Sequence, residues 1–222
     1  MTIKAIETYY NGYRFRSRLE ARWAVFFDAA GIRYEYEFEG FDHGDGVCYL
    51  PDFFLPDIDG GIYIEVKGDM DDEDYSKIEK FWETGEHPLL TVGGLPTEAE
   101  LENDDIYGYV NKYHHCFELG ERDGWDWPYL FCVCPACGKI GVEFDGRGWR
   151  VCGCRHVNKD LSGETYEDEH GKTHRFKYPE FKGCRTDDKG YSWDHPVLKV
   201  AYDKARKARF EFGETPVTNN GR

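Results

Sequence analysis

No run of eighteen apolar residues occurs in the 222-residue chain, which excludes a long hydrophobic helix crossing a membrane. The opening MTIKAIETYYNG lacks an apolar signal core, so export is not expected and the cytosol is the expected compartment. Internal repeats and low-complexity tracts are also missing. Basic residues are in short supply, 28 Lys and Arg against 43 Asp and Glu, for a net charge of −15. Such a deficit argues against a polyanionic partner, because phosphates need cations. The distribution weakens that argument. Residues 68–133 carry 4 basic and 17 acidic groups, whereas 134–159 carry 5 and 2, and 199–222 carry 6 and 3. Arg14, Arg16, Arg18 and Arg22 fall within nine residues, with only Glu20 among them. A chain divided in this way can present cationic patches despite its low isoelectric point.

What is present reads as a folded protein, with 40% hydrophobic and 17% aromatic residues. Eight cysteines without an export signal point to thiols or metal ligands rather than a disulfide framework. In SRLEARWAVFFDAAG, Leu19, Trp23, Phe26, Phe27 and Ala30 form an apolar stripe at helical spacing, with Ser17 as N-cap and Gly31 as the stop. IRYEYEFEGF alternates Ile32, Tyr34, Tyr36 and Phe38 with charged residues, which predicts a half-buried strand. Further strands are expected over 48–55 and 61–67, then a helix around Tyr75–Trp82 and a buried strand in PLLTVGGLP. The order predicts an α/β fold with a mixed-sheet core ending near residue 115. A helix over 194–212 is expected to start at Asp194 and Pro196 and to stop at Gly213. Val197, Leu198, Ala201, Ala205 and Ala208 make its apolar side, and Lys199, Lys204, Arg206, Lys207 and Arg209 its basic one. Residues 158–193 give little periodic signal.

The stretch YLPDFFLPDIDGGIYIEVKG plants Asp52, Glu65 and Lys67 in segments that otherwise read as strands. On the second strand Ile62, Ile64 and Val66 point one way, and Tyr63, Glu65 and Lys67 the other. Twelve residues containing a DIDGG turn separate Asp52 from Glu65, so the strands can pair with all three charged groups on one face. Two converging carboxylates repel unless a cation lies between them, and Mg²⁺ accepts one or two carboxylates with carbonyl and water oxygens. A lysine beside such an ion can orient or deprotonate a water and stabilise charge at phosphorus.

Pro51-Asp52 followed by Glu65-Val66-Lys67 across a hairpin, with an acidic helix residue upstream, resembles the PD-(D/E)XK nuclease superfamily. The upstream helix bearing Glu20 is similar to the branch with phage Holliday-junction resolvases and a transposon-end nuclease. The resemblance covers roughly residues 13–68. It implies a restriction-endonuclease-like core over 1–115 and Mg²⁺- or Mn²⁺-dependent hydrolysis of DNA, leaving a 5′-phosphate. Carried over, Asp52 and Glu65 hold the metal with the Val66 carbonyl, Lys67 is the catalytic lysine and Glu20 a further ligand. Glu20 also has a local reading as the N3 residue of a Ser17-x-x-Glu20 capping box. The four arginines fit DNA backbone contacts. A homodimer, a phage or mobile-element origin and a host-cytoplasmic location are expected by the same analogy.

Cys134-Pro-Ala-Cys137-Gly has the spacing of a zinc knuckle, and fourteen residues lie between Cys137 and the pair Cys152-Gly-Cys154. This predicts a small zinc ribbon over 116–160 holding structural Zn²⁺, with Cys132 or His156 as alternates for one ligand. A poorly assigned segment, 161–222, ends in the basic helix. Two other functions fit parts of the pattern. One is an inactive nucleic-acid-binding or recruitment module, and the other an acidic DNA mimic built on 68–133.

Overall fold

The computed structural model describes residues 6–42, 44, 48–58, 60–68, 70–84, 89–102, 115–117, 129–133, 138–144, 165–167, 173–175 and 195–210. Asn11 and Gly12 have positive φ of 46° and 86°, the backbone that two-residue hairpin turns require. They join β1 (Thr8–Tyr10) to β2 (Tyr13–Phe15), with Tyr10 opposite Tyr13. This hairpin is not among the elements expected from the sequence, although Asn-Gly is a strong hairpin signal.

Helix α1 (Arg18–Ala30) has both expected caps: the Ser17 side chain accepts the Glu20 N–H at 3.1 Å, and Gly31 closes the helix at φ 74°. Its Trp23, Phe26 and Phe27 are fully buried, which contributes roughly 1.5–3 kcal/mol for each. Trp23 also donates from Nε1 to the Gly93 carbonyl at 2.8 Å, tying α1 to the end of a core strand.

The strand expected over residues 32–39 is corrected to two residues, β3 (Glu35–Tyr36). Glu37 takes φ 48° and turns the chain, leaving Phe38 half exposed and stacked on Phe54. The strand expected over 48–55 is likewise broken, into β5 (Cys48–Tyr49) and β6 (Phe53–Leu55). Pro51 between them has no N–H to give to a ladder. β5 pairs with β4 (Phe41–Asp42), apart from the main sheet.

The main sheet has the order β3-β6-β7-β8-β9, with β7 (Ile62–Val66), β8 (Leu89–Val92) and β9 (His115–Phe117). β7 and β8 are parallel and the other neighbours antiparallel. Helix α2 (Asp72–Thr84) makes the crossover that a parallel pair needs. It begins before the expected Tyr75 because Asp71 caps it, its Oδ1 accepting the Asp74 N–H at 2.9 Å. Strand β7 is buried on both faces: Ile62, Ile64 and Val66 join the core under α1, and Tyr63 packs with Tyr49, Ile78 and Phe81 on the opposite side.

The remaining elements are α3 (Glu98–Glu102), the hairpin β10–β11 (Tyr129–Val133 and Ile140–Phe144), the hairpin β12–β13 (Thr165–Glu167 and Thr173–Arg175) and α4 (Pro196–Lys207). Helix α4 lies against α1, with Tyr202 stacked on Phe26 at 4.3 Å between centroids. Phe131 of β10 is fully buried against Trp23, Phe26 and Phe27. Residues of β10, β11 and α4 thus share the core of α1. Three details of α4 are corrected. His195, not Asp194, caps it through Nδ1; it ends before Ala208, whose extended backbone stops the helix ahead of Gly213; and Val197 is exposed while Tyr202 is buried. The fold is α/β, with a mixed sheet and a helix following it near the end of the chain. Among the described residues no helix is long and apolar enough to cross a membrane.

Candidate active site

The register that sets Phe53 opposite Ile64 places Asp52 next in line, opposite Glu65. Both carboxylates are buried, at 3% and 5% exposure, an arrangement that is expensive without compensating charge. Asp52 has two partners. Its Oδ2 accepts the Val66 main-chain N–H at 2.7 Å, and its Oδ1 accepts from Arg16 Nη2 at 2.6 Å. Burial, then the charges of Glu65 and Glu20, raise its pKa well above the ordinary carboxylate value, against the pull of Val66 and Arg16. Glu65 is raised too, chiefly by burial, with Lys67 pulling it back.

Lys67 closes the sheet by donating its N–H to the Val92 carbonyl at 2.9 Å. Its Nζ lies 3.2 Å from Glu65 Oε1 and 2.9 Å from Asp74 Oδ1. Burial disfavours its charge, but the bonds to Asp74 and Glu65 outweigh burial and its pKa rises. Lys67 therefore holds its proton in this arrangement.

Arg16, Glu20, Asp52, Glu65, Lys67 and Asp74 line one open cleft of about 390 Å³. With Lys77, the cleft carries four carboxylates against three cations. Asp74 was not a sequence candidate; it lies in the DMDDED run, and only the fold of α2 over β7 brings it to Lys67. Tyr49 was missed as well. Its buried hydroxyl faces Glu65 closely enough to lower that carboxyl's pKa, although it makes no bond of hydrogen-bond geometry.

Glu20 is buried at the cleft, and the capping box is half formed. Ser17 receives the Glu20 N–H, but the Glu20 carboxylate does not return to Ser17. Its Oε2 accepts the Arg16 N–H at 3.0 Å and the Tyr36 hydroxyl at 2.7 Å. Of the four arginines, Arg16 alone lines the cleft. Arg14 sits on the β1–β2 hairpin paired with Glu7, and Arg18 and Arg22 are partly buried on α1. Cys132 is buried in β10. Cys134, Cys137, Cys152, Cys154 and His156 lie outside the described residues, as does most of 158–193.

Glu65 Oε2 is buried with no hydrogen-bond partner among the described residues, and a buried carboxylate oxygen requires a donor or a cation. The acidic side chains at this point, Asp52 and Glu65, are hard oxygen donors, and Val66 lies beside them in the cleft lining. Among the described residues no three acidic, His or Cys side chains enclose a metal by themselves. A pair of carboxylates suits a small hard cation that keeps several waters. The chain was compared with family models, curated proteins and solved structures, and it matches none of them.

Proposed function

We propose that the chain is a metal-dependent DNA endonuclease of the PD-(D/E)XK type, with Asp52, Glu65 and Lys67 as its catalytic set. One observation carries the reading. Two buried carboxylates face each other across adjacent strands, Glu65 Oε2 has no hydrogen-bond partner among the described residues, and a charged lysine stands beside them. A purely structural site would satisfy that oxygen or replace the pair by apolar residues, because buried charge costs stability.

Asp52, Glu65 and the Val66 carbonyl would hold Mg²⁺ or Mn²⁺, and Glu20 stands behind them as a further carboxylate. The bound cation would supply Lewis-acid stabilisation of phosphoryl oxygens and lower the pKa of an attacking water. The chain's own residues do the rest. Lys67, kept protonated by Asp74 and Glu65, stabilises negative charge gathering on the phosphate rather than acting as the base. Arg16, half exposed at the cleft, neutralises a phosphate of the backbone. Main-chain anchoring of Asp52 by Val66 and of Lys67 by Val92 keeps both groups in position through the reaction.

In the same reading Cys134 and Cys137, with Cys152 and Cys154, would hold a structural Zn²⁺. The reading is tested by incubating supercoiled plasmid and a four-way DNA junction with the protein in Mg²⁺ or in EDTA. Nicking or resolution that requires Mg²⁺ is expected. Tight DNA binding without cleavage would favour an inactive recruitment module instead.

A further inference from the structure

Asp52 is fully engaged before any divalent cation arrives. Its Oδ2 is tied to the main chain of β7 through Val66, and its Oδ1 is covered by the Arg16 guanidinium at 2.6 Å. The first bond belongs to the sheet and is not easily given up. Oδ1 is the oxygen that β7 does not hold, and a cation reaching it would share that oxygen with a positively charged group and be repelled by it.

The two ends of the Arg16 contact differ. The Asp52 side chain is only 4% exposed, whereas that of Arg16 is 54% exposed, so the arginine is the partner free to move. Arg16 has a second anchor: its Nε lies 3.0 Å from Glu37 Oε1, whose side chain is 32% exposed and outside the cleft lining. Glu37 is held there by its N–H, which donates to the Asp52 carbonyl at 2.9 Å, and by a left-handed backbone at φ 48°. That conformation is unfavourable for a non-glycine residue and persists where surroundings demand it. The Arg16 main chain is fixed independently, its N–H donating to Glu20 at 3.0 Å and to the Tyr36 hydroxyl at 3.1 Å.

We propose that Arg16 is a displaceable counter-ion: its guanidinium neutralises Asp52 until a divalent cation takes Oδ1, and Glu37 then keeps the released arginine at the rim, facing incoming DNA phosphate. This inference rests on the nuclease reading of the same site. It makes metal loading and phosphate capture two ends of one movement, so each strengthens the other.

The test is calorimetric titration of the full chain with Mn²⁺ at pH 8 without DNA, comparing wild type with Arg16→Gln, Glu37→Gln and Asp52→Asn. Circular dichroism melts establish that each variant is folded. Removing the competitor in Arg16→Gln is expected to tighten Mn²⁺ binding about tenfold, within the usual range of coupling between sites. Removing the outer anchor in Glu37→Gln is expected to weaken binding about threefold, because the arginine then rests on Asp52 alone. A structural role for Arg16 would not give these opposite signs. Unchanged or weaker binding in Arg16→Gln, with binding still lost in Asp52→Asn, would overturn the counter-ion role and leave the metal site standing. No binding by either wild type or Arg16→Gln would overturn both.

Discussion

Replacing Asp52 by Asn sets the stability of this site against its chemistry. The folded-state pKa of Asp52 is raised, first by burial and then by Glu65 and Glu20. A carboxyl whose folded pKa lies above its unfolded value of about 3.9 carries no penalty at low pH and loses stability as pH rises through the folded value. The wild type bears more of that penalty as pH rises, and asparagine bears none of it. The substitution keeps one oxygen for the Val66 N–H. It gives up the Arg16 contact, a pair with one 54% exposed side chain, worth about 1 kcal/mol or less after solvent screening. Replacing a whole buried ion pair by apolar residues is neutral or stabilises by about 1–4 kcal/mol, and removing one partner is costly only where the other stays buried, which the half-exposed Arg16 does not. The balance predicts that Asp52→Asn is about 1–3 kcal/mol more stable than wild type at pH 8. At roughly 2–4 °C per kcal/mol for a chain of this size, Tm rises by about 2–12 °C. Thermal melts in EDTA should show that gain growing as pH is raised from 5 to 8. Excess Mg²⁺ should raise the wild-type Tm and leave the variant unmoved. A variant destabilised by more than about 1 kcal/mol at pH 8 would refute the reasoning, since Asp52 would then be a structural anchor whose bonds outweigh its burial.

Phe131→Ala removes a fully buried ring that touches Trp23, Phe26 and Phe27, and urea titration should show a loss of about 3–5 kcal/mol. A loss below about 1 kcal/mol would mean that β10 does not belong to this core. Gly31→Ala at φ 74° meets open space, so only backbone strain opposes it; the expected cost is about 1–2 kcal/mol with an unchanged urea m-value. Metal analysis of the purified chain should find one zinc per molecule, lost in the double variant Cys134→Ser, Cys137→Ser; equal zinc in both would remove these thiols from the site.

The parts legible in the sequence are those with local causes. Ser17 and Gly31 delimit α1 because a cap is set by its own few residues, and the alternation of Ile62, Ile64 and Val66 with Tyr63 and Glu65 survives intact in β7. The pairing of Asp52 with Glu65 followed from counting across a turn. Other features depend on residues far apart in the chain. Arg16 meets Asp52 across 36 positions, and among four clustered arginines nothing local marks it as the one that does so. Asp74 reads as one more acid in DMDDED until α2 lies over β7. The shortening of β3 rests on a single left-handed residue, Glu37, which an alternating pattern cannot reveal. The alternation separated two faces of β7 but not their burial: both are buried, because Tyr49, Ile78 and Phe81 cover Tyr63.

The most direct test of the catalytic assignment is plasmid cleavage by Lys67→Ala beside wild type, in Mg²⁺, with both proteins shown to be folded. Lys67 keeps its proton beside Glu65 and Asp74, so its removal should lower the single-turnover rate by at least about 100-fold, the scale for losing one charge-stabilising donor. Cleavage by Lys67→Ala at the wild-type rate would contradict the account.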